Sequence, residues 1–156
     1  MYEFVTIWRF GAEAGSVWEA IKDSESWPEW WRGVLKVEKI SDGDASGVGA
    51  VHRSCWRSVL PYTIRFDSEV VRIDESRSIE IRAFGELEGF GLWTLEAVSA
   101  CVTSVRYDWR VVANKTWMRA AAPLLKPFFR WNHDVIMAWG GAGLARKLSC
   151  KLIENN

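Results

Sequence analysis

Histidine is scarce in this chain, with only His52 and His133 in 156 residues. The three cysteines, Cys55, Cys101 and Cys150, are odd in number and share no CxxC spacing. Neither a disulfide framework nor a structural zinc site is therefore expected. His52 and Cys55 lie three apart in a segment that reads as a strand, so they point to opposite faces. Net charge is absent, because 20 bases balance 20 acids, and this speaks against a nucleic-acid partner. Long apolar runs are missing as well. The longest, Val135–Ala145, has 11 residues of which three are glycine, against the ~20 that a membrane-spanning helix needs. Met1-Tyr2-Glu3 does not open a basic-then-apolar leader. No glycine-rich stretch is followed by Gly-Lys-Ser/Thr, and Ser54, Cys55 and Cys101 sit in no nucleophile-elbow context. The expectation is a cytoplasmic protein with no metal and no cofactor.

What the chain has in excess is tryptophan, 11 residues against 3 tyrosines, within a composition that is 49% apolar. That is enough for a real core, and the length suits one domain over residues 1–156. The zero net charge conceals an asymmetry. Residues 1–114 carry 13 bases and 18 acids, whereas residues 115–156 carry 7 bases and 2 acids. A basic, tryptophan-flanked segment from Trp117 to Trp131 follows, suited to a solvated helix face or to transient contact with an anionic membrane surface.

Periodicity supplies the elements. Tyr2–Phe10 is β-branched and aromatic and reads as a strand. Ser16-Val-Trp-Glu19 has the form of a capping box, with Val17, Trp18 and Ile21 at helical spacing. Ser26–Trp31 fits a second short helix with Pro28 in its first turn, closed by Gly33. Six strands are then predicted, at Val34–Ser41, Val48–Ser58, Tyr62–Ile73, Ser78–Phe84, Glu88–Val98 and Val102–Ala113. In the last, Thr103, Val105, Tyr107, Trp109 and Val111 alternate with polar residues over nine positions. Trp117–Leu152 reads as a long helix whose first turns Pro123 and Pro127 disturb. His133, Met137, Leu144 and Leu148 make one stripe, with Phe129, Asn132, Ile136 and Gly143 beside it. Glycines 140, 141 and 143 weaken helix propensity, which points to close approach of the helix to a neighbour.

This order of elements predicts an α+β helix-grip fold, a seven-stranded antiparallel sheet wrapped around a long C-terminal helix, with two short helices after the first strand. It resembles the START-like superfamily, also called SRPBCC, and within it the polyketide cyclase/dehydrase-type bacterial proteins. The resemblance is carried by Val17–Asp23, by Trp27-Pro-Glu-Trp-Trp31 leading to Gly33-Val34, and by Gly43-Asp44 with Gly47-Val-Gly49. Leu60-Pro61-Tyr62, Gly85-Glu-Leu-Glu-Gly89, Asn132-His133-Asp134 and Gly143-Leu144-Ala145 complete it over essentially the whole length. It implies a cavity between sheet and helix, and members that include ligand carriers and cyclases.

Candidate cavity residues come from the inward strand faces and the helix stripe: Trp30, Tyr62, Ile64, Phe66, Ile81, Trp93, Tyr107, Trp109, Phe129, Asn132, His133 and Ile136. Aromatic rings with polar tips suit an apolar pocket that carries a few orienting groups. His133 and Asp134 diverge by about 100° on a helix and cannot both enter it. The alternation leaves open whether Arg53 and Arg57 or His52, Ser54 and Trp56 face inward. Inward arginines would suit an acidic or enolate-forming ligand. The leading expectation is binding of a small hydrophobic ligand, whether aromatic, polyketide-like or lipidic. An aldol-type polyketide cyclase/dehydrase is the alternative that the resemblance implies, and no catalytic set of that family maps onto this sequence. Lipid or quinone handling, with docking through Trp117–Trp131, is the third. Oligomeric state is not encoded in these patterns.

Overall fold

The structure, a computed structural model, describes residues 1–156. Strand β1 (Tyr2–Phe10) is followed by α1 (Ala14–Lys22), a 3-10 turn at Ser24–Ser26 and the single-turn α2 (Trp27–Trp30). The strands β2 (Val34–Ser41), β3 (Val51–Trp56), β4 (Ile64–Asp74), β5 (Ser78–Gly85), β6 (Leu87–Ser99) and β7 (Val102–Ala113) follow. The chain ends with α3 (Thr116–Lys147) and β8 (Leu152–Asn155). The sheet order is β2-β3-β4-β5-β6-β7-β1-β8, antiparallel at every pairing. The expected helix grip is present, and no helix is long and apolar enough to cross a membrane.

Three details differ from the periodicity. The sheet has eight strands rather than seven, because α3 stops at Lys147 and the chain returns as β8 beside β1. Ser149 takes a left-handed φ of 52°, while Cys150 N–H bonds back to the Ala145 carbonyl at 3.0 Å, so the helix closes on itself. Leu148 and Leu152 lie four apart, which extends the helical stripe through the turn and hides the short strand. Second, α1 begins two residues before Ser16. Its N-cap is Glu13, and the Ser16 hydroxyl donates to the Glu13 carboxylate at 3.1 Å, so the capping box is not made. Third, β3 is confined to Val51–Trp56 and Tyr62 precedes β4. Pro123 and Pro127 do not interrupt α3. They deprive the carbonyls of Arg119 and Pro123 of helical donors, and Arg119 is exposed to water.

The glycines of α3 have a clear cause. A Cβ on Gly140 would lie 2.5 Å from the Trp31 indole, one on Gly141 3.0 Å from that of Trp8, and one on Gly143 would collide with the Trp30 carbonyl. The two indoles use this proximity, Trp31 Nε1–H donating to Ile136 O at 2.8 Å and Trp8 Nε1–H to Met137 O at 3.1 Å. The C-terminal half of α3 is thus held tight against α2 and β1. Replacing Gly143 by Ala should cost about 1–3 kcal/mol through forced separation, read as a lower midpoint in chemical denaturation. Gly15→Ala, on the open face of α1 where a Cβ meets only Glu13 Oε1 at 3.9 Å, should instead leave stability level or raise it.

Candidate functional site

The N-terminal half of α3 does not close down on the sheet as the glycine half does. Between the two lies a cavity of about 470 Å³, and 25 of the 37 residues on its wall are hydrophobic. Its middle is an aromatic box. The ring of Trp93 stacks on Tyr107 at 4.0 Å, Tyr107 on Trp109 at 5.7 Å, and Trp56 on Phe66 at 6.3 Å. Trp31 meets Trp56 edge-on at 5.0 Å. Gly91, opposite Trp109 in the β6–β7 ladder, makes this packing feasible: a Cβ there would lie 2.7 Å from the Tyr107 hydroxyl and 3.0 Å from Trp109. Burial drives the Tyr107 phenol far up from its ordinary range, so it stays protonated.

The two ends of the cavity differ in chemistry. One is an open mouth between the α1–α2 segment and β2–β3, where Lys22, Asp23, Glu25 and Lys39 join the wall. His52 Nε2 lies 3.7 Å from Glu25, whose carboxylate is also 3.6 Å from Lys39. Burial pushes His52 below the usual histidine range, partly opposed by Glu25. The other end is closed by Tyr2 and Phe4 of β1, by Tyr62, and by Phe129, Asn132 and His133 of α3. The His133 imidazole stacks on Phe4 at 3.8 Å. Asn132 Nδ2 donates to the Tyr62 hydroxyl at 3.4 Å. Burial and the neighbouring Tyr2 phenol raise Tyr62 to about 12. His133 is pushed down to about 4 by burial, against the opposing pull of Asp134. Asp134 itself points to solvent, 3.6 Å from His133 Nδ1.

The sequence matches the family model described as polyketide cyclase / dehydrase and lipid transport over residues 5–149. The chain belongs to this family. Solved structures share the fold at low identity. The aromatase/cyclase Zhui of Streptomyces sp. R1128 is 18% identical, with a TM-score of 0.69 over 94% of each chain. A Thermus thermophilus protein is 14% identical, with a TM-score of 0.74 over 94% of this chain and 99% of its own. A START superfamily protein of Mycobacterium smegmatis is 12% identical, with a TM-score of 0.65 over 86% of this chain and 97% of its own. No curated protein sequence matches the chain significantly.

Within this family architecture, Tyr62, Ile64, Phe66, Ile81, Trp93, Tyr107, Trp109, Phe129, Asn132, His133 and Ile136 lie on the cavity wall. Trp30 does not. It stacks at 5.5 Å on Trp31, and its backbone carbonyl packs under Gly143, so Trp27 and Trp31 are the α2-region residues on the wall. The open question about β3 resolves in favour of His52, Ser54 and Trp56. Arg53 is on the outer face, held by Asp67 at 2.9 Å, and Arg57 is exposed; the inward-arginine alternative, and the acidic ligand it suggested, falls. Tyr2 and Phe4 are wall residues outside the set expected from the sequence, and His52 belongs to the face of β3 that the alternation left open. The alternation of Tyr2, Phe4, Thr6, Trp8 and Phe10 along β1 is the signal that places Tyr2 and Phe4 on the inward face.

The basic stretch of α3 also acquires a geometry. Lys126 and Arg130 lie over the rings of Tyr2 and Phe4, at 5.4 Å each, and Arg130 donates to the Glu3 carbonyl at 3.4 Å. These cations therefore sit on the β1 flank, while Leu124 and Phe128 are exposed.

A depressed imidazole makes stability depend on pH. Between the ordinary histidine value near 6.5 and about 4, the unfolded chain binds a proton that folded His133 refuses. Stability should therefore be level above about pH 6.5 and fall as pH drops through that window. His52 adds to it with the same sign. His133→Phe, which keeps the stacking on Phe4, should flatten most of this slope in urea titrations at pH 7, 6 and 5.

Proposed function

We propose that the protein binds a small, predominantly apolar and ring-containing ligand in the cavity between the sheet and α3. The observation that carries this reading is a 470 Å³ space walled by stacked indoles and phenols, within the size range of small-molecule pockets. A chain with this much aromatic volume retains the space instead of filling it, which argues for an occupant. Stacked rings favour a flat partner, since offset and edge-to-face contacts add to the burial of area.

The second reading is the cyclase/dehydrase activity named in the family description. The protonated phenols of Tyr62 and Tyr107 support it, because such donors can polarise a ligand carbonyl. Deprotonation of a carbon acid has weaker support. A general base works best with a pKa near the operating pH, and His133, at about 4, is well below it. Binding therefore ranks above catalysis.

The test is native mass spectrometry of the protein after incubation with naphthalene-sized aromatics, polyphenols and single-chain lipids. Adducts of one-to-one stoichiometry are expected for at least the aromatic set. Ile81→Trp, which places an indole in the cavity, should weaken them at least tenfold while leaving the far-ultraviolet spectrum unchanged. No adduct from any class with the unmodified protein would refute the reading.

A further inference from the structure

Buried polar atoms without partners are uncommon in folded proteins, and each asks for a reason. Side-chain atoms of this kind occur here at Tyr2 Oη, Asn132 Oδ1 and both nitrogens of His133, with Arg9 Nε and Trp30 Nε1 elsewhere. The first three residues all line the closed end of the cavity. Phe129 ties the group together, with its ring 6.2 Å from Tyr2 and 6.4 Å from Tyr62. Tyr62 already accepts from Asn132, which leaves its own O–H free to donate. Leaving one such buried group unsatisfied costs about 1–3 kcal/mol, so a cluster of them is a standing demand for a partner.

We infer that the closed end is a recognition subsite for an uncharged hydroxyl-bearing head group, phenolic or enolic, so that the ligand enters polar end first. The inference rests on the binding reading above. The donor and acceptor inventory selects the head group. Tyr2 and Tyr62 offer O–H donors, Asn132 Oδ1 is an acceptor, and a neutral imidazole presents one bare nitrogen. His133 Nδ1 lies on the side of the Asp134 carboxylate, which favours the proton there and leaves Nε2 as the acceptor. A hydroxyl satisfies both kinds of group at once, whereas an ether or ketone serves only the donors. An anionic head group is disfavoured because no lysine or arginine lines this end. Lys126 and Arg130 stay outside the wall, over the β1 rings. Charged side chains join the wall only at the mouth, so charged substituents of a ligand belong there.

The test uses four probes of nearly one size: naphthalene, 2-methoxynaphthalene, 2-naphthol and 2-naphthoate. Binding is read by quenching of intrinsic tryptophan fluorescence at pH 7 and confirmed by calorimetry. 2-Naphthol should bind at least tenfold more tightly than naphthalene and than 2-naphthoate, with 2-methoxynaphthalene between. In Tyr2→Phe and, separately, in Asn132→Leu, the naphthol-to-naphthalene ratio should fall to about threefold or less, with naphthalene affinity held or improved. Naphthalene is thus the internal check that each variant keeps its cavity. Equal binding of naphthalene and naphthol by the unmodified protein, a ratio undiminished in both variants, or naphthoate binding as tightly as naphthol would overturn the subsite and leave the binding reading standing. Failure of all four probes would overturn the subsite, and the binding reading falls with it only if polyphenols and single-chain lipids also form no adduct.

Discussion

The glycine half of α3 is the constraint on which the rest of the molecule depends. Gly140, Gly141 and Gly143 let the helix approach so closely that Trp8 and Trp31 hydrogen-bond its backbone carbonyls. The helix is seated tightly at its glycine end, and towards its other end the cavity separates it from the sheet. The stand-off is propped by side chains that are large: Phe129 and Met118 from α3, Tyr2 and Phe4 from β1, Tyr62 from the approach to β4. The same indoles that hold the helix also begin the aromatic box, since Trp31 meets Trp56 and Trp93 edge-on. The cavity is therefore a consequence of where the helix is held, and its aromatic character follows from what holds it.

Much of this was legible in the residue pattern, for physical reasons that can be named. β7 alternates over its full length because one face is buried and the other solvated, which exposes Tyr107 and Trp109 as inward residues. Glycines in a helix carry a propensity cost, so their presence announced a close neighbour without saying which. The face of β3 was not legible. Both of its sides carry groups able to sit in a pocket, and only pairing with β4, where Arg53 finds Asp67, decides between them. The assignment of Trp30 failed because a single helical turn has no period to read. β8 was hidden by a leucine spacing that the preceding helix also explains.

Charge is arranged to match. The acidic sheet region and the basic helical third cancel overall, yet the cavity keeps its charged residues at the mouth and leaves the closed end neutral but hydrogen-bonding. In an apolar environment that difference discriminates strongly, because an unpaired charge is far costlier there than an unpaired hydroxyl. The low proton affinity of His133 and the raised values of Tyr62 and Tyr107 have one main origin, burial, and each favours the uncharged form. A site with this bias is better suited to holding a neutral molecule than to driving proton transfers at neutral pH.

Whether a ligand sits in the aromatic box can be read from the indole N–H resonances of ¹⁵N-labelled protein during a titration with 2-naphthol. Saturable shifts are expected at Trp27, Trp31, Trp56, Trp93 and Trp109, which line the cavity, with the exposed Trp131 of α3 unmoved. Shifts confined to Trp131, or none at the five wall indoles at saturating naphthol, would contradict that location.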